Sequence, residues 1–190
     1  MRLVNYLNEK SVAKFSDFDI AMEFMEKNCQ PFIDYWTKRL NPDDFLYRGV
    51  PGVPDIFLKK VRKNRKPMNT EEEIQKIADD NFERRFGIRA RSETVFCSSK
   101  IKQAKDYGQP RIIFPVGKYE VIWSPDIEDM YLSMSSDIEE FRDQLNSYIK
   151  GRLSDAIFSG NEIMLHCESY IGFDSVIYEQ RLIDYFKQRR

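Results

Sequence analysis

The chain has 190 residues, a length typical of one domain that can bury a sizeable core. Charged residues make up 32% of it and aromatic residues 14%, and the net charge is -1, a balance that excludes disordered and fibrous proteins and favours no class of partner. No apolar run is long enough to cross a bilayer, and the first residues lack the apolar region of a signal peptide. We therefore expect one cytoplasmic domain, residues 1–190, that does not bind a membrane.

The first part of the chain has a helical pattern. Apolar residues recur at three- and four-residue spacing from Phe18 to Leu40, and Pro31 divides this stretch into two helices or bends one. The pattern predicts a helical N-terminal part over residues 1–40 whose aromatic side chains belong to the core.

The middle of the chain contains strands with helices inserted between them, without a regular alternation. Residues 45–50 and 55–61 have strand patterns, and a helix over residues 70–87 begins with a capping box and ends at a glycine. Another strand, residues 93–99, ends in two serines that are good helix caps and leads into a short helix over residues 101–107.

The densest basic segment of the chain covers residues 59–66. It is either a solvated loop or a patch that contacts the phosphate groups of a nucleic acid or a nucleotide. In the second case Lys63, Arg65 and Lys66 are the candidate contacts, and the segment itself has no interleaved aromatic residue for base stacking.

The last third adds further strands and helices. Residues 111–116 and 119–123 predict two paired strands joined by a short turn, and residues 137–150 predict an amphipathic helix. A helix over residues 176–190 closes the chain. Helices come first, followed by strands with helices inserted between them, so the expected fold class is α+β.

Residues 158–173 carry a clear strand pattern. Odd-numbered residues from Ile163 onward fall on one face of an extended segment, and even-numbered residues from Glu162 onward fall on the other. Because Glu162 follows a Ser-Gly-Asn turn, a carboxylate is expected at the mouth of a sheet. His166 is expected to be a packed or hydrogen-bonded interior side chain and not a general base.

Three cysteines, Cys29, Cys97 and Cys167, lie far apart in the chain. Their number is odd, and no Cys-x-x-Cys pair or Cys/His ligand spacing accompanies them. We therefore expect reduced thiols and no structural metal.

Three short motifs place an arginine, a hydroxyl and a carboxylate at strand ends, in that order. They are Tyr-Arg-Gly at residues 47–49, Cys-Ser-Ser at residues 97–99 followed by Ala104 and Tyr107, and Asn-Glu-Ile at residues 161–163. The order and the local sequences resemble the ADP-ribosyltransferase fold, especially its Arg/Ser/Glu branch and the small enzymes of tailed phages.

The resemblance implies that residues 45–173 form a split β-sandwich with inserted helices. It also implies an enzyme that transfers ADP-ribose from NAD to a host protein or nucleic acid. This enzyme would be encoded by a phage, would act in the host cytoplasm and would need no metal. Lys63, Arg65 and Lys66 would then contact the acceptor.

The resemblance further implies a role for each motif residue. Glu162 is the expected catalytic residue, because a fixed carboxylate stabilises the positive charge that builds on the ribose as the nicotinamide bond breaks. The residues expected to bind NAD are Arg48 at the pyrophosphate, Gly49 beside the nicotinamide amide, Ser98 or Ser99 at the nicotinamide ribose, and Tyr107 or Tyr119 as a stacking face.

Two positions depart from the family pattern. Gly160 stands where arginine-modifying members carry a second acidic residue, which puts arginine modification in doubt. Cys97 stands where the family most often has Ser, so either the register is shifted by one or that hydroxyl is dispensable. Two other functions stay open: a catalytically silent protein that binds and blocks a host factor, and an NAD glycohydrolase, in which water is the acceptor.

Overall fold

The computed structural model describes residues 12–66, 71–133, 135 and 137–190. The strands in these ranges are β1 (Val12–Lys14), β2 (Tyr47–Gly49), β3 (Ile56–Lys60), β4 (Val95–Cys97), β5 (Pro110–Trp123), β6 (Ile149–Lys150) and β7 (Ile163–Asp174). The helices are α1 (Phe18–Asn28), α2 (Gln30–Arg39), α3 (Glu72–Phe86), α4 (Ala90–Glu93), α5 (Ile101–Lys105), α6 (Met130–Ser133), α7 (Ile138–Asn146), α8 (Leu153–Ser159) and α9 (Ser175–Gln188). The fold is α+β, as the sequence predicts.

One antiparallel sheet contains all of these strands, in the order β1-β3-β7-β5-β2, with β4 on β7 and β6 on β5. Its centre is the long ribbon of β5 and β7, which pair from Arg111 opposite Asp174 to Trp123 opposite Ile163. On its other edge, β7 pairs with two strands: the first residues of β7 pair with β4, and its last residues pair with β3.

The prediction of a hairpin within residues 111–123 is wrong, because these residues form a single strand. Gly117 has a φ of 73°, and the pairing with β7 shifts register between Val116 and Tyr119. The glycine therefore makes a bulge that bends the strand, while both halves keep β7 as their partner.

The bent ribbon closes on itself through a bridge between β2 and the end of β4. The Tyr47 N–H donates to the Ser98 carbonyl at 2.7 Å, and the Ser98 N–H donates to the Tyr47 carbonyl at 3.0 Å. Tyr47 also pairs with Ile112 near one end of the ribbon, whereas β4 pairs with the start of β7 at the other end. A 12-residue strand spans roughly 40 Å when straight, so this contact requires the bend.

Both faces of β7 are buried near its start. Ile163, Leu165 and Cys167 belong to the main core with α1, α2 and α9, whereas Met164 packs in a second core with α3 and α7. His166 lies beyond the cover of that second core, with 37% of its side chain exposed and Nδ1 3.7 Å from Glu120 Oε2. The prediction of an interior histidine is therefore wrong.

The helix boundaries agree with the sequence in part. The predicted break near Pro31 is confirmed, since α1 ends at Asn28 and the proline lies in the first turn of α2. Helix α3 ends as predicted at Gly87, whose φ is 73°, whereas Thr70 of the predicted capping box lies outside the described residues.

The helix predicted over residues 137–150 is too long, because α7 ends at Asn146. The residues after it form β6, which pairs with Trp123 and its neighbour. Backbone pairing with β5 replaces the last helical turn, a tertiary effect that the amphipathic pattern does not reveal. None of the helices in the described ranges is long and apolar enough to cross a membrane.

A buried ion pair joins the ends of the two central strands. Arg111 Nη1 lies 2.5 Å from Asp174 Oδ2, and both side chains are 2% exposed. Gln109 donates to the same carboxylate oxygen at 2.6 Å, and the other oxygen accepts the N–H groups of Val176 and Ile177 at the start of α9. Asp174 thus holds β5, β7 and α9 together.

Replacing Asp174 by Asn keeps the shape of the side chain and its capping oxygen but leaves Arg111 as an uncompensated buried charge. We expect the free energy of unfolding to fall by about 3–5 kcal/mol, measured by urea denaturation. The matched control is Glu23→Gln, which breaks an exposed pair with Lys27 and should leave the denaturation midpoint unchanged. Equal midpoints for the two variants would contradict the role given to Asp174.

Candidate active site

A cavity of about 550 Å³ opens beside β2, the end of β3, β4 and α5. Its charged lining residues are Arg48, Lys59, Lys60, Arg62, Arg65, Lys66, Arg91, Asp129 and Glu162. Seven cations against two carboxylates give this cavity a positive potential, although the whole chain is nearly neutral.

The structure brings most of the motif residues to this cavity. Those that line it are Arg48, Gly49, Ser98, Tyr107 and Glu162, together with Arg65 and Lys66 of the basic segment. Three other candidates, Ser99, Tyr119 and Lys63, are not among the lining residues.

The two serines fasten the turn after β4 to the segment that precedes Glu162. The Ser98 hydroxyl donates to the Gly160 carbonyl at 3.1 Å and accepts the Lys100 N–H at 3.1 Å. The Ser99 hydroxyl donates to the Ile157 carbonyl at 2.5 Å, so it is directed at α8 and not at the cavity. Both hydroxyls therefore have positioning contacts within the protein.

Gly49 is required by packing of the protein itself. A Cβ at this position would collide with the Ala104 carbonyl oxygen and would crowd the backbone of Tyr107 and Gly108. The absence of a side chain is what lets α5 lie against β2, which places Tyr107 at the cavity.

The two candidate tyrosines lie in different environments. The Tyr107 hydroxyl donates to Asp129 Oδ2 at 3.2 Å, and its partly exposed ring lines the cavity. Tyr119 packs edge-on against Phe32 in the main core, with ring centroids 5.1 Å apart. Only Tyr107 is therefore placed to touch a ligand in the cavity.

Glu162 is 9% exposed and is held at the start of β7 by its N–H, which donates to the Glu128 carbonyl at 2.7 Å. Its Oε1 lies 3.7 Å from Arg91 Nη1, and this oxygen accepts no hydrogen bond from the part of the chain that the structure describes, whereas the carboxyl as a whole has a backbone hydrogen bond from Met130. Burial raises the pKa of this carboxyl, Arg91 and Arg65 act in the opposite direction, and Asp129 adds to the increase.

Arg48 reaches across from β2 to β4. Its Nη1 donates to the Phe96 carbonyl at 2.7 Å, and its buried Nε donates to no acceptor in the described residues. The guanidinium lies near Lys59, whose pKa is lowered by burial first and by Arg48 second. The crowded cations favour an anion at this position.

Arg91 is a site residue that the sequence analysis missed. Asp79 Oδ1 accepts the N–H groups of Arg91 at 2.7 Å and of Ser92 at 3.2 Å, and the Ser92 hydroxyl donates to Asp79 Oδ2 at 2.5 Å. These contacts fix α4 against α3 and aim Arg91 at Glu162. The sequence signals only a short polar segment between Gly87 and β4, which does not reveal a buried arginine.

Asp129 is the second site residue that the sequence did not indicate. Its Oδ1 accepts the N–H groups of Tyr131 and Leu132 at the start of α6, while Oδ2 holds Tyr107. In the sequence, a capping Asp gives no sign that its other oxygen lines a cavity.

The described parts of the chain contain no group of three or more His, Cys, Asp or Glu residues that could hold a metal ion. No protein-family model, curated protein or solved structure matches the chain. The chemistry of the cavity therefore has to be inferred from its own residues.

The carboxyl of Glu162 is expected to titrate above the ordinary value of 4.5 in ¹³C NMR of the labelled side chain. Arg91→Gln should raise that pKa further, because Arg91 favours the charged form. Arg84→Gln, which removes an exposed arginine of α3, is the control and should leave the titration unchanged. An unshifted carboxyl in the wild-type protein would contradict the buried position.

The same shift makes stability depend on pH. The folded state holds the Glu162 proton more tightly than the unfolded state, so the protonated carboxyl stabilises the fold below pH 4.5, and this contribution is lost as pH rises through the raised pKa. The unfolding free energy of wild type relative to Glu162→Gln should therefore fall across this window. A difference independent of pH would show that Glu162 titrates normally.

Proposed function

We propose that this protein is an NAD-dependent ADP-ribosyltransferase whose catalytic residue is Glu162. The observation that carries the proposal is the convergence of Arg48, Ser98 and Glu162, three residues far apart in the chain, on one cationic cavity. Isolated motifs of two or three residues match by chance, but chance does not bring them to a single cavity. We also propose that the bent and closed ribbon is the split β-sandwich of that family.

The reaction breaks the bond between ribose C1′ and the nicotinamide nitrogen, and the bonding pair leaves with nicotinamide. Positive charge then builds on the ribose, and a buried carboxylate beside it stabilises the transition state more than the ground state. Glu162 has the required burial and an oxygen free of protein hydrogen bonds among the described residues. The acceptor supplies the electron pair that forms the new bond to C1′ and loses a proton to Glu162 or water.

The carboxyl must be ionised for this role. Burial opposes ionisation, and the Arg91 guanidinium 3.7 Å away favours it. Arg91 is thus a positioning residue that favours the charged form of Glu162. It also limits where the carboxylate can turn.

The remaining contacts suit a dinucleotide. Arg48 lines the cavity and contributes a fixed positive charge, which fits a pyrophosphate. The exposed ring of Tyr107 provides a stacking surface at the same cavity, and Ser98 fixes the loop that carries Glu162. A volume of about 550 Å³ is within the range of small-molecule sites.

Gly160 supports an acceptor other than arginine. It ends α8 with a φ of 71°, a conformation that an acidic side chain rarely adopts, and a Cβ there would collide with the Lys100 side chain. A second acid at this position would strain the backbone and displace the Lys100 side chain. The resemblance to enzymes of tailed phages leads us to propose a host protein or nucleic acid as the acceptor.

Incubation with NAD labelled in the adenine ring and a bacterial lysate tests the proposal. We expect labelled macromolecules and free nicotinamide with the wild-type protein, and a loss of about 10²-fold or more in rate with Glu162→Gln. The matched control is Glu168→Gln, an exposed residue of the same strand, which should retain full activity.

The outcomes separate the alternatives. Release of nicotinamide without labelled macromolecules would identify an NAD glycohydrolase. Absence of turnover with a protein that is folded by circular dichroism would contradict both enzymes and favour a silent protein that blocks a host factor. Equal rates for the two glutamate variants would remove Glu162 from the mechanism.

A further inference from the structure

Phe96 of β4 gathers three arginines around the cavity. Its carbonyl accepts from Arg48, while the guanidinium carbons of Arg65 and Arg91 lie 3.7 Å and 4.6 Å from the centroid of its ring. The basic segment, residues 59–66, has no aromatic residue of its own, and Phe96 brings an aromatic ring next to it. The ring attracts both cations, at distances typical of cation–π contacts.

The segment that carries Arg65 is tied to the body of the protein. The Arg65 N–H donates to the Ser92 carbonyl at 3.2 Å, and the Arg65 carbonyl accepts from Gln75 Nε2 at 2.7 Å. Gln75 Nε2 lies 3.1 Å from the Ser92 hydroxyl, which is itself bonded to Asp79. The end of the basic segment is therefore not a freely solvated loop, and one network fixes both Arg65 and Arg91.

The two guanidinium groups lack hydrogen-bond acceptors. Neither donates a side-chain hydrogen bond to any residue in ranges 12–66, 71–133, 135 and 137–190, and the Arg91 side chain is only 9% exposed. The ion pair with Glu162 at 3.7 Å is too long for a hydrogen bond. Guanidinium donors that have no acceptor in the protein are available to a bound anion.

The charge of the cluster is also uncompensated. The pKa of Arg65 is lowered to about 9, first by burial and then by the nearby Arg48 and Arg91, whose effect exceeds the opposite effect of Glu162 and Asp79. A phosphate group answers this surplus better than a carboxylate, because it carries up to two negative charges and offers three acceptor oxygens to the planar forks of two arginines.

We propose that Arg65 and Arg91, held against the Phe96 ring, form a phosphate-binding subsite in this cavity that is separate from the Arg48 contact. The phosphate belongs either to a nucleotide or to a nucleic-acid strand that enters past Arg62 and Lys66 at the same wall. The subsite does not depend on NAD cleavage, so its test needs no turnover.

Isothermal titration calorimetry with inorganic pyrophosphate measures anion binding in the cavity, and variants of Arg65 assign that binding to the subsite. We expect Arg65→Gln to weaken binding by about tenfold, because one charged hydrogen-bonding group is lost. Lys63→Gln removes the same charge from the same segment at an exposed position outside the cavity and should weaken binding less than twofold. Arg65→Lys, which keeps the charge and loses the fork, should fall between them.

Phe96→Leu tests the platform, since it keeps both arginines and removes the ring that orients them. It should weaken pyrophosphate binding while leaving the salt dependence as in wild type. Three results would each overturn the subsite. The wild-type protein does not bind pyrophosphate, Arg65→Gln binds it as tightly as wild type, or Arg65→Gln and Lys63→Gln lose equal affinity. The last result would show that only the general positive potential of the surface attracts the anion.

Two further titrations identify the source of the phosphate. ADP-ribose and a ten-residue oligothymidylate are each titrated into wild type and Arg65→Gln. Dependence on Arg65 with ADP-ribose alone assigns the subsite to a nucleotide. Dependence with the oligonucleotide, accompanied by a salt slope smaller by about one in the variant, assigns it to a nucleic-acid strand.

Discussion

The bridge between Tyr47 and Ser98 is the contact on which the cavity depends. It joins β2 and the end of β4, which flank opposite ends of the central ribbon, and so it holds the ribbon in its bent form. Arg48 follows Tyr47 directly, and Ser98 bonds to the Gly160 carbonyl just before Glu162. Two backbone hydrogen bonds therefore help to set the positions of the three motifs relative to one another. These positions also depend on the bend of the ribbon at the Gly117 bulge.

The charged side chains of the cavity are paired less closely than the buried charges elsewhere in the fold. Arg111 and Asp174 show the usual solution for buried ions, a close pair with further hydrogen bonds on the same atoms. Around Phe96 the solution differs, because three arginines gather there and Glu162 Oε1 lies 3.7 Å from Arg91, too far for a hydrogen bond. The first arrangement serves stability, and the second leaves binding capacity unused by the protein.

The sequence predicted those features of the fold that depend on a few neighbouring residues. The helix boundary at Gly87, the break near Pro31 and the start of β7 after a turn follow from backbone preferences of a few residues. The single bent β5 and the short β6 were not predicted, because partners far along the chain determine whether a glycine bends a strand or reverses it. Arg91 and Asp129 were missed for the same reason, since their burial arises only when α3, α4 and α6 pack together.

The backbone conformation at Gly160 bears on which acceptor the proposed enzyme would modify. Helix α8 must end in a left-handed residue for the chain to turn into β7, and the Lys100 side chain fills the space where a side chain at residue 160 would lie. Lys100 in turn pairs with Glu128, whose carbonyl holds the Glu162 N–H. An acid at residue 160 would therefore displace the Lys100 side chain that pairs with Glu128. If the protein is the transferase proposed above, the cationic lining of the cavity favours an acceptor that carries negative charge over one that carries a guanidinium.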